Sequence, residues 1–158
     1  MPTSDLMEGI RTDTARVPTR TLVAGVRTVA EAAYRWLIAV FVLAVVAEFL
    51  LAGAGAFGQK TGVALGDQRS WDPHRALGYL LIGAALLLLV VCLAWWSERI
   101  WLLATFLLAV LAFLQSVLAH VGLHHRWIGA LHPLNAVAIL GLSAYLAQRA
   151  WRGDLVAR

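Results

Sequence analysis

The sequence predicts an all-α integral membrane protein, a four-helix bundle running up-down-up-down through a bilayer. Three observations predict it. Of 158 residues, 61% are hydrophobic, 14% are Asp, Glu, Lys or Arg, and the mean hydropathy is +0.75. A soluble domain carries about 25% charged residues to cover its surface. The apolar residues gather in four runs of about 20 residues, the length that crosses roughly 30 Å of hydrocarbon as a helix. Finally, the basic residues flank these runs instead of lining one face, which is a mark of membrane topology and not of a nucleic-acid partner.

The elements follow in order. Residues 1–33 form a cytoplasmic N-terminal segment, expected to be partly disordered. Met1 to Arg20 are polar, with Pro2 and Pro18 and no short apolar core before a cleavage site, so the first span is expected to act as an uncleaved insertion signal. Leu22, Val26, Val29 and Ala33 recur at helical spacing opposite Arg27, Glu31 and Arg35. Two readings stand for that stretch: an interfacial amphipathic helix, or a cytoplasmic extension of span one. The bundle proper covers 34–150, with spans at about 34–56, 74–95, 100–122 and 131–149. Residues 151–158 form a cytoplasmic tail. The first connection holds Gly58, Gly62, Gly66, Asp67 and Ser70 and reads as an extramembrane loop. The second and third connections are short, which favours antiparallel neighbours. Spans two and four share an entry signal, Asp72-Pro73-His74 and His132-Pro133, with proline in the favoured first turn.

Charge sets the orientation. Arg11, Arg16, Arg20, Arg27, Arg35, Arg99, Arg149, Arg152 and Arg158 lie on the side of the termini, against Lys60, Arg69, Arg75 and Arg126 on the other. The termini and the second loop are therefore expected in the cytoplasm, with the chain multi-pass in a bacterial inner membrane. Trp36, Trp95, Trp96, Trp101 and Trp151 fall at inner span ends, and Trp71 and Trp127 at outer ends, as aromatic belts. The single cysteine, Cys92, permits no internal disulfide.

Ionisable groups carry the functional question. His74, His120, His124, His125 and His132 all lie towards the outer side, with Glu48 and Gln115 in the outer halves of spans one and three. Intramembrane ionisable residues are costly and usually face a bundle interior with a task. In this topology spans two and four are diagonal partners, with axes roughly 11–14 Å apart if neighbours pack at about 8–10 Å. A six-coordinate haem with two imidazole ligands needs a comparable separation, and His74 and His132 open helices that enter from the same surface. Haem propionates would suit the helix N-termini, paired with Arg75 and Arg126, and Gly78 leaves a flat surface on the His74 face. His120 and His124, four residues apart, offer an alternative: a zinc, copper or iron site with His132 or Glu48, or ligands for a second haem. His125 beside Arg126 and Trp127 reads as a solvated loop residue. Glu48 is a candidate catalytic or proton-transfer carboxylate, with a structural hydrogen-bonding role as the other reading. Gln115 reads as helix–helix glue. No Gly-rich phosphate loop and no metal-binding cysteine pair occur, and Ser116, four residues before His120, has no readable acid partner for a hydrolase.

The stretches Phe49-Leu50-Leu51-Ala52-Gly53-Ala54-Gly55-Ala56-Phe57-Gly58, Trp71-Asp72-Pro73-His74-Arg75-Ala76-Leu77-Gly78 and Leu131-His132-Pro133-Leu134-Asn135 together carry a resemblance. The chain after about residue 34 resembles an uncharacterised family of small four-helix bacterial membrane proteins. More distantly, it is similar to one four-helix half of haem A synthase, and its layout to small b-type cytochromes. The haem A synthase resemblance implies haem ligation by His74 and His132, with Glu48 an approximate counterpart of a glutamate that matters for that enzyme's activity. The chain departs from the enzyme in having one four-helix unit and a first loop without a cysteine pair. What carries over is therefore haem binding and not the enzyme's reaction.

The function expected is that of a haem b protein, exchanging electrons with a quinone or a redox partner protein, within a lipid bilayer and with a homo-oligomer open. Membrane oxidoreductase is the enzyme class considered. The alternative is a non-haem accessory or assembly protein with a His-rich zinc or copper site, or a purely structural subunit.

Overall fold

The computed structural model describes residues 19–57, 71–95 and 98–153. Residues 1–18, the loop with Lys60 and Arg69, Trp96 and residues 154–158 lie outside the described residues. Four long helices make the architecture: α1 (Thr19–Phe57), α2 (Asp72–Trp95), α3 (Arg99–Gly122) and α5 (Leu131–Trp151). A one-turn helix, α4 (Arg126–Gly129), leads into α5. Among the described residues there is no strand.

Proline placement explains why the helices run unbroken. The four prolines stand at 2, 18, 73 and 133: ahead of α1 and in the first turns of α2 and α5. There the missing N–H is not required and the fixed φ suits helix entry. Asp72 in the first turn of α2 also complements the helix dipole. α1 is one continuous helix of 39 residues, so the apolar stripe at 22–33 belongs to the same helix as the first span.

All four long helices are long and apolar enough to cross a membrane, α4 and α5 together making the fourth. The chain is a multi-pass membrane protein. α1 and α3 each pack against α2 and α5, leaving α1–α3 and α2–α5 as diagonals. We call the end of the bundle near Trp36 and Trp151 proximal, and the end where α2 and α5 begin distal.

Each long helix buries a stripe at alternating spacings of four and three. In α1 it is Tyr34, Ile38, Phe41 and Val45; in α2, Leu81, Ala85, Leu88 and Cys92. In α3 it is Trp101, Thr105, Leu108 and Ala112; in α5, Ile139, Ser143, Leu146 and Ala150. The spacing of four, three and four keeps one face of each helix towards the bundle axis. Polar atoms inside the stripe are satisfied. Tyr34 Oη and Thr105 Oγ1 are 2.8 Å apart across the α1–α3 diagonal, and Ser143 Oγ donates to the Leu140 carbonyl at 3.1 Å. Large apolar residues on the outward faces, such as Leu43, Leu80, Leu103 and Val137, are exposed and suit contact with lipid.

At the distal end the chain turns tightly from α3 into α4. A Cβ built on Gly122 would lie 2.6 Å from the Cα of Gly129, and one on Gly129 would lie 3.3 Å from the Gly122 Cα. Only backbone occupies that crossing, so no flexible side chain can yield. Gly122→Ala is expected to destabilise the protein by about 1–3 kcal/mol, the usual cost of overpacking. Thermal unfolding in detergent checks this, with Gly141→Ala, where a Cβ meets nothing within 4 Å, as the neutral control.

Candidate functional site

The core is closed at its proximal end and opens distally. Proximally, Tyr34 and Thr105 are 1% and 0% exposed and bridge the diagonal. In the distal half a cleft of about 820 Å³ opens between the four long helices, lined by Glu48, His74, Gly78, Gln115, His120 and His132 among mostly apolar neighbours. That volume lies within the range of about 300–1,000 Å³ typical of small-molecule and cofactor sites, and the lining has their mixture of apolar wall and few polar groups.

Two polar clusters face one another across it. The first joins α1 to α2. Glu48 Oε1 stands 3.1 Å from His74 Nδ1, both side chains being about one-sixth exposed. The approach is off-axis for a hydrogen bond: neither His74 Nδ1 nor Glu48 Oε2 has a hydrogen-bond partner among the described residues. Gly78, one turn after His74, makes the room for this carboxylate, since a Cβ there would lie 3.0 Å from Glu48 Oε1. The flat surface expected at Gly78 is thus where Glu48 sits.

The second cluster joins α3 to α5, and its donors and acceptors can be assigned. The Asn135 amide donates to the Leu111 carbonyl at 2.9 Å and to Gln115 Oε1 at 2.6 Å. With its oxygen so engaged, the Gln115 side chain presents its NH₂ to His132 Nε2 at 3.2 Å. His132 Nε2 therefore accepts, and Nδ1–H donates to the Gln115 carbonyl at 3.1 Å. The network fixes the Nδ1–H tautomer and leaves the Nε2 lone pair as the basic atom of the ring.

His74 and His132 meet across the α2–α5 diagonal with ring centroids 6.3 Å apart and planes at 75°. Trp71 also lines the cleft, its ring 5.7 Å from that of His74. Arg75 also lines the cleft, and its guanidinium is 3.6 Å from Asp72.

The other candidates fall in different places. His120 lines the cleft, whereas His124 lies with His125, Arg126 and Trp127 around a shallow distal depression. The structure does not bring His120 and His124 into one pocket. Arg126 is outside the cleft as well, its guanidinium 5.4 Å over the Trp127 ring. Ser116 donates its hydroxyl to the Phe113 carbonyl at 3.0 Å. Among the described residues, no group of three or more His, Cys, Asp or Glu side chains is arranged to hold a metal ion.

Asn135 is the residue that sequence reasoning passed over. It is 8% exposed and orients both Gln115 and, through it, His132. Its position three residues after His132, on the same helix face, was the available signal.

The profile of a family of unknown function, DUF6220, matches residues 48–122. The chain is similar to that family over this stretch. The match begins at Glu48, takes in His74, Gly78, Gln115 and His120, and ends before His132 and Asn135. No curated protein and no solved structure matches the chain.

Proposed function

We propose that the protein is a haem b-binding membrane protein with His74 and His132 as the two axial ligands. The observation that carries this reading is the placement of two imidazoles from diagonal helices on opposite walls of one cleft, 6.3 Å apart. Two imidazoles on facing walls of one cleft are the residues that would hold the haem iron. Ring chemistry supports it too. Each Nδ1 lies 3.1 Å from an oxygen, Glu48 Oε1 for His74 and the Gln115 carbonyl for His132. Ligating histidines commonly have their second nitrogen held in this way, and Nε2 is then the atom presented to the metal. The unsatisfied His74 Nδ1 and Glu48 Oε2 fit a ring that turns to donate to the carboxylate as its Nε2 engages. The more distant similarity of the layout to one four-helix half of haem A synthase, with His74 and His132 at the matching positions, is a further support for this reading.

The group would supply a one-electron redox centre. The chain's own residues hold and tune it. Glu48 and the Gln115 carbonyl would orient the rings, the Gln115 amide stands against His132 Nε2, and Arg75 would offer a cation to a propionate. The apolar lining limits water. We place the cleft at the outer side of a bacterial inner membrane with the termini in the cytoplasm, and assign electron exchange with a quinone or a redox partner protein. One centre near one surface does not by itself cross about 30 Å of hydrocarbon. Visible spectra of the purified, haem-supplied protein test the reading. Sharp reduced bands of a six-coordinate b-type centre are expected after dithionite; a spectrum without haem bands contradicts it.

A further inference from the structure

The cleft has a side opening. α3 has α2 on one side and α5 on the other. Leu111 and Gln115 turn to α5, where Asn135 holds them. Ser116 and His120 stand one place on from Gln115 and Ala119, a rotation of roughly 100°, and so turn to α2. On α2, Arg75, Tyr79 and Ile82 stand one place on from His74, Gly78 and Leu81. Two right-handed helices that run antiparallel carry such positions to the same seam, so these residues turn to α3. All five line the cleft.

The proximal part of this seam is shut. Ala109, two turns before Ser116, is 6% exposed, and Leu89, two turns after Ile82, packs against the core. Distally the seam parts. Tyr79 is 69% exposed, and Arg75 and His120 are exposed as well, although all three line the cleft. Side chains that stand both in a cleft and at the outer surface mark a passage between the two. Tyr79 and Ser116 lie seven and six residues inside the distal ends of their helices, roughly 9–11 Å along the axis. At that depth the passage opens to lipid.

The chemistry of the slit narrows what enters it. The Tyr79 hydroxyl on one wall and the His120 ring on the other can both donate hydrogen bonds, with the Arg75 guanidinium at the mouth. The one carboxylate that lines the cleft, Glu48, belongs to α1 and stands beside His74. The site therefore asks for acceptors on both edges of its ligand. A charged head is costly to bring to this depth, and a neutral carbonyl is not. A slit between two helices also favours a flat group. We propose that the slit between α2 and α3 takes the headgroup of a quinone from the distal half of the bilayer. Its two carbonyl oxygens meet Tyr79 and His120, and its tail stays in lipid. This chooses the quinone as the partner and rests on the proposed haem reading for where its electrons go; the binding itself is read without haem.

A photoreactive azido-benzoquinone with a decyl tail tests this on the full chain in lipid nanodiscs, with attachment sites read by mass spectrometry. Saturable labelling is expected within residues 75–82 and 116–123, competed by decyl-benzoquinone and not by decanoate. Tyr79→Phe and His120→Leu are each expected to weaken that competition about three- to tenfold, the loss of one hydrogen bond to a neutral group. Both positions are exposed, so the variants leave the core intact. Labelling that does not saturate, falls on other faces of the bundle, or is unchanged in both variants overturns the proposal. Equal competition by decanoate overturns it too and assigns the slit to anionic lipid. The reduced haem band is followed in parallel in haem-supplied samples. Slit labelling without any haem band would sink the haem reading and leave the quinone site standing; a haem band without slit labelling would do the reverse.

Discussion

His132→Ala and His74→Ala are each expected to abolish the low-spin b-type spectrum. Each imidazole faces the other across the cleft, with ring centroids 6.3 Å apart, and both lie against the same space. Truncating either ring leaves a space of imidazole size. External imidazole is therefore expected to restore much of the reduced band in both variants, which separates ligand loss from misfolding. A band that survives both substitutions unchanged would place any haem elsewhere.

The second large effect is on stability. Tyr34→Ala is expected to cost roughly 3 kcal/mol, at the lower end for a buried aromatic because lipid tails are themselves apolar. Tyr34 is 1% exposed, packs within the stripe of α1, and reaches across the diagonal to Thr105. Its truncation opens a cavity where the bundle is tightest and leaves the Thr105 hydroxyl without that partner. Tyr34→Phe removes only the bond and is expected to cost about 0.5–1.5 kcal/mol. Unfolding curves in detergent or bicelles give both values. Equal losses in the two variants would assign the effect to the hydrogen bond and not to packing.

The helices were legible because a bilayer imposes length and hydropathy on any segment that crosses it. The prolines at 73 and 133 and the short connections supplied ends; the start of α1 at Thr19, well ahead of the span expected from about residue 34, was not legible. Within the site, Glu48, His74, Gln115 and His132 could be placed in one half of the bundle because each is polar in an apolar run. Their pairing was not legible. That Glu48 sits against His74, and Gln115 against His132, depends on helix rotation, which a nearly all-apolar helix encodes weakly. Apart from Glu48, the sequence of α1 is apolar all round from Trp36 to Phe57, so packing tells which side is the core. Arg126 illustrates a different limit. It was expected beside the helix N-termini that face the cleft, but it opens the one-turn helix α4 and its guanidinium lies over the Trp127 ring. Asn135 and Thr105 were hidden because a single neutral polar residue in an apolar run is common, and its importance lies in what it meets on another helix.

Electron paramagnetic resonance of the oxidised, haem-loaded protein reads the His74 and His132 rings together. With His74 and His132 both holding the iron, the ferric centre would give a low-spin signal. That signal should vanish in both His74→Ala and His132→Ala. A purely high-spin signal, or no haem signal at all from protein purified after haem supply, would contradict the account.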